Sequence, residues 1–486
     1  MKKITSFWKI ILLTFIPCLI ISCQSEEEEK KVSTVLLDSI QIDLPQIREC
    51  GKLIAITSYS STSYFLYRGQ PMGYEYELLE RLANHLNLDL EIVIAKNLDE
   101  IIDMLLNGKG DVIAHFLTIT KERKKKIAFT EHHTITKQVL VQRKPENWRQ
   151  MKLHNIEKQL IRNPLDLIGQ KVYVRKNSSY YYRLLNLSEE MGGDIELVPV
   201  SGNQTTGEII KKVAEGGIDY TVADENIALI NATYYSDLDV ETAVSFPQRI
   251  AWAVRKSSPE LLKVLNEWIQ NMKKTTDYYV IYNKYFKNKK AFKRRIKSEF
   301  FSKTGGKISR YDKLIRTYAG QISWDWRLLA SLVYQESQFN PKTESWAGAR
   351  GLMQLMPATA KQFGAADLFD PEQSFNAGAA YLNYLQNLWI EIPDSLERLK
   401  FVIASYNAGE GHVADARRLA EKYKKNSDKW KDNVDQYILL KSNPTYYNDE
   451  VVKYGYCRGE EPYNYVKEIM ERYEHYKKFI SFTQTN

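Results

Sequence analysis

The hydrophobic rhythm of this chain changes once, and the change falls at a strongly basic segment. Before residue 286, short apolar runs alternate with amphipathic helical stretches; after residue 308 only the helical period is present. Gly51-Lys-Leu-Ile-Ala-Ile-Thr reads as a buried strand entered from a turn glycine, Leu90-Glu-Ile-Val-Ile as a second, and Gly110-Asp-Val-Ile-Ala as a third. Between them Leu78, Leu79, Leu82, Ala83 and Leu86 recur at helical spacing over residues 76–88, and residues 98–106 form a helix stopped by Asn107-Gly108. Strands alternating with helices predict an α/β domain on a largely parallel sheet, here over residues 46–285. Residues 309–486 carry helical patterns at 324–337, 357–363, 374–388, 396–405 and 462–479, so an all-α domain with at most a short hairpin should follow.

A chain of 486 residues has room for two or three such domains. With 44% hydrophobic and 26% charged residues, wholesale disorder and a multi-span membrane protein are excluded. The net charge of +8 does not require a nucleic-acid partner, because it is not spread over a folded face. Lys2, Lys3 and Lys9 stand at the N-terminus, and residues 286–308 hold nine Lys/Arg against one Glu, which leaves the rest of the chain slightly acidic. The 286–308 segment reads as a solvated interdomain helix and linker, broken at Gly305-Gly306. Contact with an anionic membrane surface or an acidic cell-wall polymer is the alternative reading.

The N-terminus reads as an address. Residues 10–21 are apolar but short, and Pro17 interrupts them, as in a secretory signal. The run ends in Ile20-Ile21-Ser22-Cys23, which resembles a bacterial lipobox. The resemblance implies a lipoprotein signal at 1–22 and a lipidated Cys23, followed by an acidic tether over 23–45 containing QSEEEEKK. The expected location is the cell outer membrane, lipid-anchored and facing the periplasm, with surface exposure as the alternative. Beyond Cys18 and Cys23 only Cys50 and Cys457 remain; that compartment would allow them to pair, although they fall in different predicted domains. No CxxC or HExxH is present, and His132-His133 on a strand would point to opposite faces, so no metal and no cofactor is expected.

In the first block, Phe116-Leu-Thr-Ile-Thr-Lys-Glu-Arg-Lys-Lys-Lys-Ile-Ala-Phe-Thr-Glu, then Leu167-Ile-Gly-Gln-Lys-Val-Tyr-Val with Asn177-Ser-Ser, and residues 213–224 follow in order. Together they resemble family 3 extracellular solute-binding proteins of the amino-acid type, a two-lobed periplasmic-binding-protein-like fold. A carboxylate ligand needs a bidentate cation, which Arg123 would supply. By resemblance Thr118, Arg123 and Asp224 match ligand contacts, with Asp224 taking an ammonium. Ser178 or Ser179 would add a hydroxyl, and Tyr64 would wall the pocket. An amino acid or a muropeptide is the implied ligand. The polar stretch 144–165 reads as an insertion between the lobes that would alter the hinge.

In the second block Glu336 lies one turn beyond Leu332 and Val333, on the apolar side of a helix near its end. Burial there raises a carboxyl pKa, which suits a general acid. Glu336-Ser337 is followed by Ala349-Arg-Gly-Leu-Met-Gln-Leu-Met-Pro, by Ala404-Ser-Tyr-Asn-Ala-Gly and by Pro462-Tyr-Asn-Tyr-Val. This ordered set resembles the lysozyme-like domain of family 1 soluble lytic transglycosylases, and the order of lipobox, binding domain and catalytic domain resembles their membrane-bound relatives. The resemblance implies cleavage of the MurNAc–GlcNAc β-1,4 bond of peptidoglycan, without water, to a 1,6-anhydro-MurNAc end. It makes Glu336 acid and then base. It places Ser337 near Glu336 or the 2-acetamido group, Met353 and Gln354 along the sugar cleft, and Tyr406 and Asn407 on the acetamido group. Tyr465 is placed on Glu336 itself. A non-catalytic glycan-binding receptor and a lysozyme-type hydrolase are the rival readings.

Overall fold

The computed structural model describes residues 40–480. The expected signal, Cys23 and most of the tether lie outside the described residues.

The α/β block forms two lobes, each on a five-stranded sheet. In the first lobe the order is Asp89–Ile94, Lys52–Thr57, Val112–Thr118, Gln248–Val254, Ala128–Thr136. The first three strands are parallel and the last two antiparallel to their neighbours. The second lobe runs Leu238–Asp239, Gln138–Arg143, Tyr220–Asp224, Lys171–Arg175, Glu196–Val200, again with three parallel strands and an antiparallel pair. The parallel part is what strand–helix alternation predicts; the antiparallel pairs arise where the chain changes lobe. It leaves the first lobe after Thr136, enters the second at Gln138, and returns before Gln248.

The stretch 144–165 is not placed between the lobes. It packs on the outer edge of the second lobe, where the Trp148 indole donates to Asp237 and Arg162 pairs with Asp239 and Glu157. The two crossings are thereby free of it. The basic segment also departs from expectation. Helix Lys289–Ile296 turns Phe292 and Arg295 inward, and Phe286, Phe301 and Ile308 are buried with them. Ser302 donates to the Leu66 carbonyl and Arg68 to that of Phe300, so the segment pairs with the hairpin Phe65–Tyr67/Gln70–Met72. A Cβ on Gly305 would lie 1.8 Å from the Glu299 carbonyl oxygen, which explains the glycine at that turn. The joint is amphipathic and folded, with its lysines outward.

The second block is helical around Trp326–Ser337, whose Leu328, Leu329, Leu332 and Val333 are buried. Asp325 caps its start, accepting from the Arg327 amide. Gln338 and Phe339 end it with left-handed backbone, φ 50° and 61°. Extended pairing in this block is confined, among the described residues, to isolated bridges, Glu344 with Arg350 and Arg350 with Leu355. Among the described residues no helix is long and apolar enough to cross a membrane.

Candidate active site

Glu336 is the penultimate residue of Trp326–Ser337 and is half-buried. The last helix, Glu460–Phe479, packs along it. The Ser331 hydroxyl donates to the Ile469 carbonyl at 2.7 Å, and Gln335 bonds Glu468 and Arg472. That alignment sets Tyr465 opposite Glu336, and the tyrosine hydroxyl donates to Oε1. Burial pushes the Glu336 carboxyl up to about 8; the Tyr465 hydroxyl opposes the shift, and Glu461 adds to it. Glu336 therefore holds its proton at neutral pH. The charge of Glu336 also raises the phenols of Tyr406 and Tyr465, after burial, so the three groups share one environment.

The floor beside them is the loop after the catalytic helix. The Ser337 hydroxyl donates to the Leu352 carbonyl at 2.9 Å, and Tyr406 donates to the Met353 carbonyl at 2.7 Å. Gly351 has φ +77°, and a Cβ there would come within 1.8 Å of the Leu368 carbonyl oxygen. Gln354, at φ 46°, donates to the carbonyls of Thr343 and Gly351. Asn407 is partly exposed at the end of Ser395–Ala408, and its amide makes no hydrogen bond among the described residues. Met353 differs from expectation. Its side chain is fully buried against Gly378, and its backbone N–H and carbonyl are taken by Ser374 and Tyr406, so it lies beneath the cleft and offers it no thioether. Ser337 likewise spends its hydroxyl on the loop.

In the first domain the structure gathers Thr118, Arg123, Ser178 and Asp224 where the lobes face each other. Arg123 donates to the Thr118 carbonyl, and the Thr118 hydroxyl meets Ser179 at 3.2 Å. Ser178 caps the helix Ser179–Met191. Asp224 accepts from Tyr180 at 2.9 Å, and its Oδ1 is buried without a partner. Burial raises Asp224 to about 6 and lowers Arg123 to about 10, the latter also through Arg175. Tyr64 is not there. It is buried at the junction with the last helix, bonded to His475 and stacked on Tyr76. Sequence reading missed Arg175, Gln138 and His115 in this cleft. Arg175 had left a signal, a cation ending the apolar run Val172-Tyr-Val. Cys50 is exposed and Cys457 buried, and both are free thiols.

Residues 53–288 match the model of bacterial extracellular solute-binding proteins, family 3, and residues 313–430 that of the transglycosylase SLT domain. Tyr465 lies beyond the second match, and the structure sets it beside Glu336, where the resemblance had put it. The chain is 35% identical to a membrane-bound lytic murein transglycosylase F of Desulfosudis oleivorans, over 88% of this chain and 90% of that one. A protein of the same name from Photobacterium profundum is 32% identical over 99% and 88%. Among solved structures, a mutant of ArgBP from T. maritima is 27% identical, covering 50% of this chain and 99% of that one with a TM-score of 0.42. An α/β binding-type domain, a helical transglycosylase domain carrying a buried acid, and relatives alike over nearly the full length place the chain in the family of membrane-bound lytic murein transglycosylases F.

Proposed function

We propose that this peptidoglycan lytic transglycosylase works through Glu336 as acid and then base. The observation that carries the reading is a carboxyl held protonated near neutrality by burial, fixed by Tyr465 beside Tyr406. Glu336 gives its proton to the glycosidic oxygen of the MurNAc–GlcNAc bond, and the C1–O bond breaks. The 2-acetamido oxygen of MurNAc closes on C1 in place of an enzyme nucleophile. Glu336, now a carboxylate, takes the proton of the MurNAc 6-hydroxyl as that oxygen attacks C1, which yields the 1,6-anhydro ring and restores the acid. General acid–base help of this kind is worth roughly 10²–10⁴-fold. Asn407, with its amide uncommitted, is assigned to the acetamido group. Tyr406 is assigned to orienting the intermediate, and Gln354 to the cleft wall.

The first domain is read as a binding module for an amino acid or muropeptide end, with Arg123 and Thr118 on the carboxylate, Asp224 on the ammonium and Ser178 at the cleft. Its ligand changes access to the Glu336 cleft. Cys23 is read as the lipid anchor that holds the chain at the outer membrane, facing the periplasm. Mass analysis of products from purified sacculi tests the reaction. Anhydro-muropeptides from the wild type that vanish with Glu336→Gln are expected. Reducing ends without the anhydro ring would identify a hydrolase, and undigested sacculi would leave only a glycan receptor.

A further inference from the structure

We propose that the cleft between the two lobes of the first domain takes a small α-amino acid whose side chain carries a second acidic group, held by Arg175. The proposal rests on reading that domain as an amino-acid binding module and narrows what it binds.

Arg175 ends the strand Lys171–Arg175 and is 9% exposed. Its guanidinium makes no hydrogen bond and no ion pair among the described residues, and its Nε is buried without any partner. Buried cations are ordinarily paired, because charge taken out of water and left uncompensated is strongly unfavourable. Elsewhere in this domain the rule is kept by the terminal nitrogens of Arg255, 2% exposed, which are bound by Asp111 and by backbone carbonyls although its Nε too has no partner. Arg175 instead lines a cavity of about 50 Å³ together with Arg123, and that cavity adjoins another of about 210 Å³ that shares Leu98, His115, Phe116, Thr206 and Ile227.

The other ionisable groups there are accounted for. His115 is neutral at physiological pH, since burial and the two arginines hold it down to about 3. Asp99 takes the backbone N–H of Gly202, and it and Arg175 feel each other's charge without a direct hydrogen bond or close ion pair among the described residues. Asp224 has one oxygen on Tyr180 and the other buried and free. One guanidinium and one carboxylate oxygen thus remain without a hydrogen-bond partner, while Arg123 has the Thr118 carbonyl and further N–H groups to offer. The α-carboxylate of an amino acid answers Arg123, and its ammonium answers the free oxygen of Asp224. Arg175 is left for a second anion, to which its planar fork can donate two parallel bonds. A neutral amino acid would leave Arg175 unpaired when the lobes close, and a basic one would add a third cation. Selectivity therefore comes as much from this penalty as from the new contact. The inner compartment has roughly the space of a few waters, which limits the side chain to the length of aspartate or glutamate.

Calorimetric titration of the full-length protein with L-glutamate, L-aspartate, L-glutamine and L-arginine tests the proposal. The expected result is binding of at least one acidic amino acid about tenfold or more tighter than glutamine. Arg175→Gln should remove that preference while glutamine binding is kept, and Arg123→Gln should weaken every ligand. Arg175→Lys, which keeps the charge and loses the fork, should retain part of the preference. A wild type that binds glutamine or arginine as tightly as glutamate would overturn the proposal and leave the amino-acid reading standing. So would an acidic preference that survives Arg175→Gln. Absence of heat with all four amino acids would overturn both. Should Arg175→Gln fail to fold, the wild-type ranking alone still decides.

Discussion

Glu336 can protonate a glycosidic oxygen only while it holds a proton, and burial is what keeps that proton in place. With its carboxyl raised to about 8, the acid form dominates at neutral pH and is lost above that value. Activity on sacculi should therefore fall on the alkaline side with a midpoint near 8. The Tyr465 hydroxyl favours the carboxylate, so Tyr465→Phe should move that midpoint upward while lowering the rate by about ten- to a hundredfold through lost positioning. The pH profiles of wild type and variant check both. The same shift acts on stability. A carboxyl whose folded pKa is raised contributes stability that is fully present below its unfolded value, about 4.3. That contribution is lost as pH rises through about 8. Glu336→Gln should therefore melt higher than wild type at pH 9, with the gap closing toward pH 5; a gap independent of pH would contradict the burial argument. The position of Glu336 on the apolar side was legible from helical spacing, and its candidacy as the acid came only with the motifs that follow it. The burial of Met353 was not legible, since a motif fixes neighbourhood and leaves open whether a side chain lines the cleft or packs beneath it.

At the scale of elements, the loop between the catalytic helix and Pro371–Leu388 holds the floor of the cleft through backbone contacts. Gly351 allows its close pass beneath Leu368, so Gly351→Ala meets both a left-handed backbone and a carbonyl oxygen 1.8 Å from the new Cβ. It should cost about 2–4 kcal/mol, read by urea denaturation. Activity should drop beyond the loss of folded protein, because the Met353 carbonyl that receives Tyr406 moves with the loop. Helices such as Trp326–Ser337 were readable because their burial is written in local periodicity. The segment 286–308 was not. Its basic run looks solvated, and only the distant hairpin at Leu66 supplies what Phe301 packs against. The outer-edge placement of 144–165 was hidden for the same reason, since its partners Asp237 and Asp239 lie far along the chain.

At the scale of the whole molecule, the two domains share a core along the last helix. Leu66 of the first domain is 3% exposed within the helical cluster, Tyr476 donates to the Gly69 carbonyl at 2.7 Å, and Lys467 pairs with Asp89 at 2.5 Å. Leu66→Ala should therefore destabilise the catalytic domain by about 2–4 kcal/mol although it lies outside it. Calorimetry resolving the two domains would detect this, and a change confined to the first would refute it. The same helix carries His475, whose ring bonds the Tyr64 hydroxyl and lies edge-on to Tyr76. Burial, then the charges of Lys478 and Arg472, hold this imidazole down to about 3, against about 6.5 in the unfolded chain. A depressed pKa contributes stability present above the unfolded value and lost as pH falls from there toward the folded one. Acidification from pH 7 to 4.5 must then force a proton toward a ring already flanked by two cations, and the domain junction weakens. Carboxylates elsewhere titrate over the same range, so the measurement is a difference. His475→Gln keeps a polar partner for Tyr64 but cannot charge. The wild-type melting temperature should fall several degrees further than that of His475→Gln across this interval, whereas the two should run parallel above pH 7. Curves that stay parallel down to pH 4.5 would remove His475 as the acid-sensitive contact between the domains.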